Sequence, residues 1–369
     1  MNEHVRYGLR LLVILAVASA GAWVAIAARM PLPWMLGPLV AAAVVAMAKP
    51  KVFGAIPVMP TTLRNIFIPV IGLMIGSQVT RETLVHMGQW WPSLLLVVPF
   101  ALVTQMISFA LLKKMGGYDR ATAFFASSPG GVVEAVIISE RFKGDPTLTV
   151  VQHLARISLA VTIVPLLLTL YIGHPVGSAS GASMPDALNP IGLMDTLLLA
   201  AAAVIGAYVA RKINLPAANM LGPMITSAAL HSTGLTFALI PTSLVQITQL
   251  VIGASLGGRF AAVDMRTLYK SAVLSLPLLV VSLSVAAVAG LTVSMLGYNS
   301  VVVGFISFAP GGVTEMGLIA LSIDADPVYV ACHHIVRILT AVLFLPLIYR
   351  FLIAPTRQNQ QSGTSGDAD

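Results

Sequence analysis

Cysteine occurs once in 369 residues, at Cys332. A single thiol excludes an internal disulfide framework and a thiolate metal cage. Charge is also scarce. Asp, Glu, Lys and Arg make up 9% of the chain, where a water-soluble domain carries roughly 25%. Hydrophobic residues reach 57%, and the mean hydropathy is +0.90. Such a chain has too little polar surface to cover itself in water, so a lipid bilayer is its expected surrounding. The formal charge of +7 is spread over short loops without a basic run, so no nucleic-acid partner is expected. A Walker-type nucleotide loop is missing, as is any HExxH or paired Cys/His pattern. No resident cofactor or metal is therefore expected.

What the sequence does contain is a duplication. MLGP at 35–38 recurs at 220–223, and VIGLMIGS at 70–77 parallels VIGASLGG at 251–258. SPGGVVE at 128–134 parallels APGGVTE at 309–315. Asp145-Pro146 parallels Asp326-Pro327, and QHLARI at 152–157 parallels HHIVRI at 333–338. From the second motif onward the offset stays at 181 residues. Unrelated apolar helices would not keep Pro, Gly, Glu, His and Arg in one register. Residues 1–172 and 190–354 form the two expected membrane repeats. Residues 173–189, rich in Gly, Ser and Pro, are the expected linker, and 355–369 a disordered polar tail. Residues 5–28 resemble a signal peptide in their basic start and in Ala18 and Ala20. The stretch is nevertheless long enough to span, and 190–210 matches it in the second half, so a retained helix is expected.

The apolar pattern predicts an all-α membrane protein with ten spans, at about 8–28, 33–48, 63–79, 92–112, 147–171, 190–210, 216–232, 240–258, 271–296 and 328–352. Two further segments, about 121–140 and 301–322, are broken by Pro-Gly-Gly. Each arm of a broken segment is roughly 15 Å of helix, enough to reach the middle of a ~30 Å core, so length permits either a crossing or a re-entrant hairpin.

Basic residues decide between them. With re-entrant hairpins and a cytoplasmic N-terminus, Arg6, Arg10, Lys49, Lys51, Arg64, Lys113, Lys114, Arg120, Arg141, Lys143, Arg211, Lys212, Arg259, Arg266, Lys270, Arg350 and Arg357 fall inside. Only Arg29 and Arg81 fall outside, and Arg156 and Arg337 lie within spans. Crossing segments would erase this positive-inside bias. Five spans per half then turn the second repeat upside down, and both termini face the cytoplasm of a bacterial inner membrane. Inverted repeats with interrupted helices are a recurrent plan of secondary transporters.

The candidate site gathers around the breaks. Pro129 and Pro310 cannot continue a helix, while Gly130, Gly131, Gly311 and Gly312 permit a sharp turn beside Ser128. A tip at mid-membrane leaves helix-end N–H and C=O groups that hydrocarbon cannot satisfy. It either cradles a solute or ion at the N-terminus of the second arm, or packs tightly through small residues. Glu134 and Glu315, in the first turn of those arms, are either helix caps or carboxylates that carry a cation or proton. His153 with Arg156, and His334 with Arg337, each share a helix face. Either the arginines pair with Glu134 and Glu315, or they anchor an anion with the histidines as protonation switches. The MLGP and Gly-rich segments read by default as packing surfaces.

These paired PGG-x-x-E and H-x-x-R motifs, with MLGP opening each unit, resemble the bacterial AbrB-duplication membrane family over roughly residues 10–353. Members are labelled ammonia monooxygenase-like proteins or regulators of gene expression. The family is also similar to inverted-repeat transporters such as cation–proton antiporters and bile-acid symporters. That resemblance implies transport and names no substrate. A monooxygenase would need a metal or flavin site that these residues do not offer. A transcription factor would need a soluble basic module, so an effect on gene expression would be indirect. The expectation is a secondary transporter, coupled to H⁺ or Na⁺, for a small molecule or ion. It is not an enzyme, it has no catalytic residue, and its oligomeric state is open. The alternative is a membrane-embedded sensor or regulator.

Overall fold

The computed structural model describes residues 3–130, 132–174, 176, 192–215 and 217–353, the side chains of 132–134 and 137 excepted. The expected linker 173–189 and tail 355–369 fall almost wholly outside these residues. So do Gly131 and the side chain of Glu134.

The described residues are helical with short connections. In the first half run α1 (Glu3–Ala27), α2 (Pro33–Ala48), α3 (Thr61–Gly76), α4 (Arg81–Met87), α5 (Trp91–Leu111), α6 (Arg120–Ala126), α7 (Val132–Arg141) and α8 (Pro146–Ile172). In the second run α9 (Leu193–Lys212), α10 (Ala218–Ser232), α11 (Thr242–Gly258), α12 (Met265–Met295), α13 (Val301–Phe308), α14 (Val313–Ser322) and α15 (Pro327–Ile348).

Each of the ten apolar segments is a helix, but length divides them. Six are long and apolar enough to cross a membrane: α1, α5, α8, α9, α12 and α15, with α5 and α15 each extended by a π turn. The other four, α2, α3, α10 and α11, hold 15 to 17 residues. That is about 22–26 Å of helix, short of a ~30 Å core. By length alone, then, six of the ten expected spans stand. The short α4, which the apolar pattern did not anticipate, follows α3 at an angle of 87°, and the two together make a seventh candidate.

The four short helices interlock the halves. α2 lies along α11, and its counterpart α10 lies along α3. Within each half, α1 packs on α2 and α9 on α10. The glycines of the repeated motifs explain the closeness. In MLGP, Gly37 faces the backbone of Gly21, and Gly222 faces that of Gly206. Gly72 and Gly76 of α3 rest on the carbonyls of Met220 and Met224. Gly253 and Gly257 of α11 rest on those of Met35 and Leu39. Small residues allow backbones to approach where lipid offers no hydrophobic drive for helix association. The largest buried cluster, with Leu36, Ile71, Ile75, Ile252, Met316 and Tyr329, draws on both halves.

The Asp-Pro pairs are helix starts. Asp145 Oδ1 accepts from Leu148 N at 3.0 Å. Asp326 Oδ1 accepts from Val328 N at 2.8 Å and Tyr329 N at 3.3 Å. Proline at the first helical position gives up only an N–H that the helix would not have used. Replacing either aspartate by alanine is expected to cost about 1 kcal/mol, measured as a lowered melting temperature of the detergent-solubilised protein.

Candidate functional site

Both expected breaks are present. α6 ends at Ala126 and α7 begins at Val132. α13 ends at Phe308 and α14 begins at Val313. A helix that stops inside a protein leaves its last carbonyls without partners. Here two arginines supply donors. Arg156, on α8, donates from Nη1 to Ser127 O at 2.9 Å and from Nη2 to Ser128 O. Arg337, on α15, donates to Ala309 O at 2.5 Å and to Gly311 O at 2.7 Å. A cation here also complements the partial negative charge of each helix C-terminus. The side chains are 7% and 6% exposed, and the two guanidiniums lie within electrostatic range of each other.

This geometry corrects one of the two readings of these arginines, at Arg337. Among the described residues, the sole contact between a basic and an acidic side chain joins His86 and Glu82 at 3.9 Å. Arg337 is spent on backbone carbonyls rather than on Glu315. The corresponding pair of Arg156 and Glu134 involves a side chain outside the described residues. Glu315 is 5% exposed, and its Oε2 accepts from Thr314 Oγ1 at 2.7 Å. Its carboxylate folds against Gly312, where a Cβ would overlap it. Gly312 is the residue preceding α14, so a side chain there would push the carboxylate out of its present position.

The two breaks meet. One cavity of about 410 Å³ is lined by Pro129 and Gly130 from the first tip and by Pro310, Gly311 and Gly312 from the second. Arg156, Arg337, His153 and Glu315 also line it. Not every expected residue reaches the wall. His334 is fully buried behind it, its Nε2 donating to Ile306 O at 3.0 Å. Ser128 contributes its carbonyl to Arg156 and donates its hydroxyl to Gly130 O at 3.0 Å. Gly131 lies outside the described residues. His153 Nδ1 donates to Thr149 O at 2.9 Å, and among the described residues its Nε2 has no partner within hydrogen-bond geometry.

Two lining residues escaped the sequence reading. Arg64, near the start of α3, and Arg259, just past α11, were counted as loop charges. Both stand on the cavity wall within electrostatic range of Glu315. The 181-residue register pairs them with Val245 and Gln78. A charge present in one repeat and missing from the other was the signal that marked them. Among the described residues, no three His, Cys, Asp or Glu side chains converge as metal ligands.

The repeated motifs that build this cavity fall within residues 34–353, the region matched by the family model described as "Transition state regulatory protein AbrB". The chain belongs to the AbrB family. It is similar to "Uncharacterized protein YhjN" of Bacillus subtilis (strain 168), at 24% identity over 381 residues, covering 98% of each chain. It is also similar to "Putative regulator AbrB" of Escherichia coli (strain K12), at 24% identity over 338 residues. That match covers 90% of this chain and 94% of the relative. Such end-to-end similarity makes the two-break arrangement a property to look for across these AbrB-family chains.

Proposed function

We propose that this AbrB-family chain is a bacterial inner-membrane secondary transporter for a small solute, coupled to H⁺ or Na⁺. In this reading the two repeats are inverted, α6–α7 and α13–α14 are re-entrant hairpins, and ten segments cross the bilayer. The short helices α2, α3, α10 and α11 do so as two interlocked pairs, α2 with α11 and α3 with α10. The cavity at the two tips is the solute site and carries out no covalent chemistry. The observation that carries the reading is the convergence of both helix breaks, with buried charge from both halves, on one cavity. Ionisable groups are expensive inside a membrane protein and mark solute or ion paths.

In proteoliposomes, an imposed pH or Na⁺ gradient is expected to drive solute uptake, and E134Q/E315Q to abolish the coupling. Uptake unchanged in that variant removes both glutamates from the mechanism. Reporter fusions at residues 116 and 299 are expected on opposite faces of the membrane; the same face for both would overturn the inverted topology.

A second reading, a sensor that binds a solute without moving it, is favoured by the word "regulator" in the family description and in the Escherichia coli relative's name. It predicts saturable binding, no net flux and a dependence on a partner protein.

A further inference from the structure

We infer that the cavity takes a small organic carboxylate, whose anionic end is held by Arg64 and Arg259. The inference rests on the cavity being the solute site proposed above, and it names the substrate class.

The charge of the wall is lopsided. Its described residues include four guanidiniums, Arg64, Arg156, Arg259 and Arg337, against one carboxylate, Glu315. An ionised Glu134 would still leave guanidiniums in the majority. Two of the four are committed, since Arg156 and Arg337 hold the C-terminal carbonyls of the broken helices. Arg64 and Arg259 are not. Among the described residues neither has a contact ion pair, and Arg64 Nε is buried without a hydrogen-bond partner. They lie close enough to repel each other. Two like charges held in a partly desolvated pocket are costly unless an anion comes between them. Glu315 supplies part of that compensation, since both arginines feel its charge.

A third guanidinium on the wall is also incompletely satisfied. Arg337 is nine-tenths buried and lines the cavity, and among the described residues its Nε–H has no partner. Opposite requirements of shape and polarity then narrow the class. Val97, Phe100, Leu256 and Phe308 give the cavity apolar walls. A bare inorganic oxyanion would leave those walls without contacts, whereas an organic acid fills them with its carbon skeleton. The volume of about 410 Å³ lies at the small end of ligand pockets. Guanidinium is the donor best matched to a carboxylate, because its planar fork offers two parallel N–H groups.

The repeat supports the division of labour. Arg156 and Arg337 occupy matching positions in the two halves and do the same job at each break. Arg64 and Arg259 have Val245 and Gln78 at their matching positions. The symmetric arginines build the site, and the asymmetric pair is free to read the solute.

The test uses the full chain purified in detergent. Melting temperature is followed with acetate, succinate, citrate and benzoate, with dimethyl succinate as the neutral control, tetramethylammonium as the cation, and inorganic phosphate and sulfate as bare oxyanions. At least one carboxylate is expected to raise the melting temperature saturably, while dimethyl succinate and tetramethylammonium do not. R64Q/R259Q is expected to weaken that carboxylate at least tenfold, and R64K/R259K, which keeps the charge, to weaken it less. No response to any of the four carboxylates overturns the inference. So does an equal response to the ester or the cation, a stronger response to phosphate or sulfate, or unchanged affinity in R64Q/R259Q. If R64Q/R259Q does not fold, R259Q alone is measured by the same criterion. Saturable carboxylate binding without gradient-driven uptake sinks the transporter reading and leaves this one standing. Gradient-driven uptake of a cation or neutral solute does the reverse.

Discussion

Replacing Arg337 by methionine is expected to cost about 3–6 kcal/mol, by the usual worth of two hydrogen bonds from a charged donor. Methionine keeps much of the length and apolar stem but removes every donor. Ala309 O and Gly311 O would then face the cavity without a partner. The cost should fall in the lower half of that range, because water entering the cavity could reach those carbonyls. Even so, it is a large share of the roughly 5–15 kcal/mol that holds a folded domain together. R156M should behave alike, since Arg156 holds Ser127 O and Ser128 O in the same way. The measurement is the melting temperature of each variant beside R337K. Lysine keeps the charge but lacks the two-pronged fork, so it should recover only part of the loss. If R337M melts with the parent chain, the arginine is not what secures the break, and the account of the site fails at its base.

The second large effect is expected at the glycines of the MLGP motifs. Gly37→Leu or Gly222→Leu should leave little folded protein in the membrane. A side chain at 37 would enter the backbone of Gly21, and one at 222 that of Gly206. A crowded side chain can rotate away, but a helix backbone cannot, so the helices must part along their length. Adding methylene groups to a well-packed interior commonly costs about 1–3 kcal/mol, and a backbone clash belongs at or above the top of that range. Gly37→Ala is the milder form and should lower the melting temperature clearly. Gly8→Ala is the control. Gly8 lies in α1 with nothing within 4 Å of its missing Cβ, so alanine there should raise helix stability by up to about 1 kcal/mol. Folded protein in fluorescence-detected size-exclusion chromatography separates these outcomes. Equal recovery of Gly37→Leu and Gly8→Ala would show that α1 and α2 are not in close contact.

The helices themselves were legible from the chain. Apolar runs bounded by Pro, Gly and Asp placed α5, α8, α9 and α15 to within four residues and α1 and α12 to within six. The Pro-Gly-Gly breaks placed the gaps after α6 and α13, because proline lacks the N–H and collides with the preceding turn. The α3–α4 bend was missed: 81–87 carries Arg81, Glu82 and His86 and reads as a polar loop. The ion-pair reading failed at Arg337 for a different reason. A buried arginine announces that it needs acceptors, and carboxylates one helix away were the obvious ones. Backbone carbonyls at a helix break are equally good acceptors, but every residue has one, so no letter of the sequence marks them.

The sequence alone determined the membrane surroundings, the duplication, the breaks and the family resemblance. The first three follow from composition, periodicity or spacing along one chain, whereas the resemblance rests on the quoted PGG-x-x-E, H-x-x-R and MLGP motifs. The tertiary structure decided that the two breaks share a cavity, that the paired arginines serve the backbone, and that Arg64 and Arg259 stand on its wall rather than in solvent. Charge and hydropathy are properties of a residue, whereas the fate of a guanidinium depends on what lies a few ångströms away, and only the packing of α3 and α11 against the other half brings those atoms together.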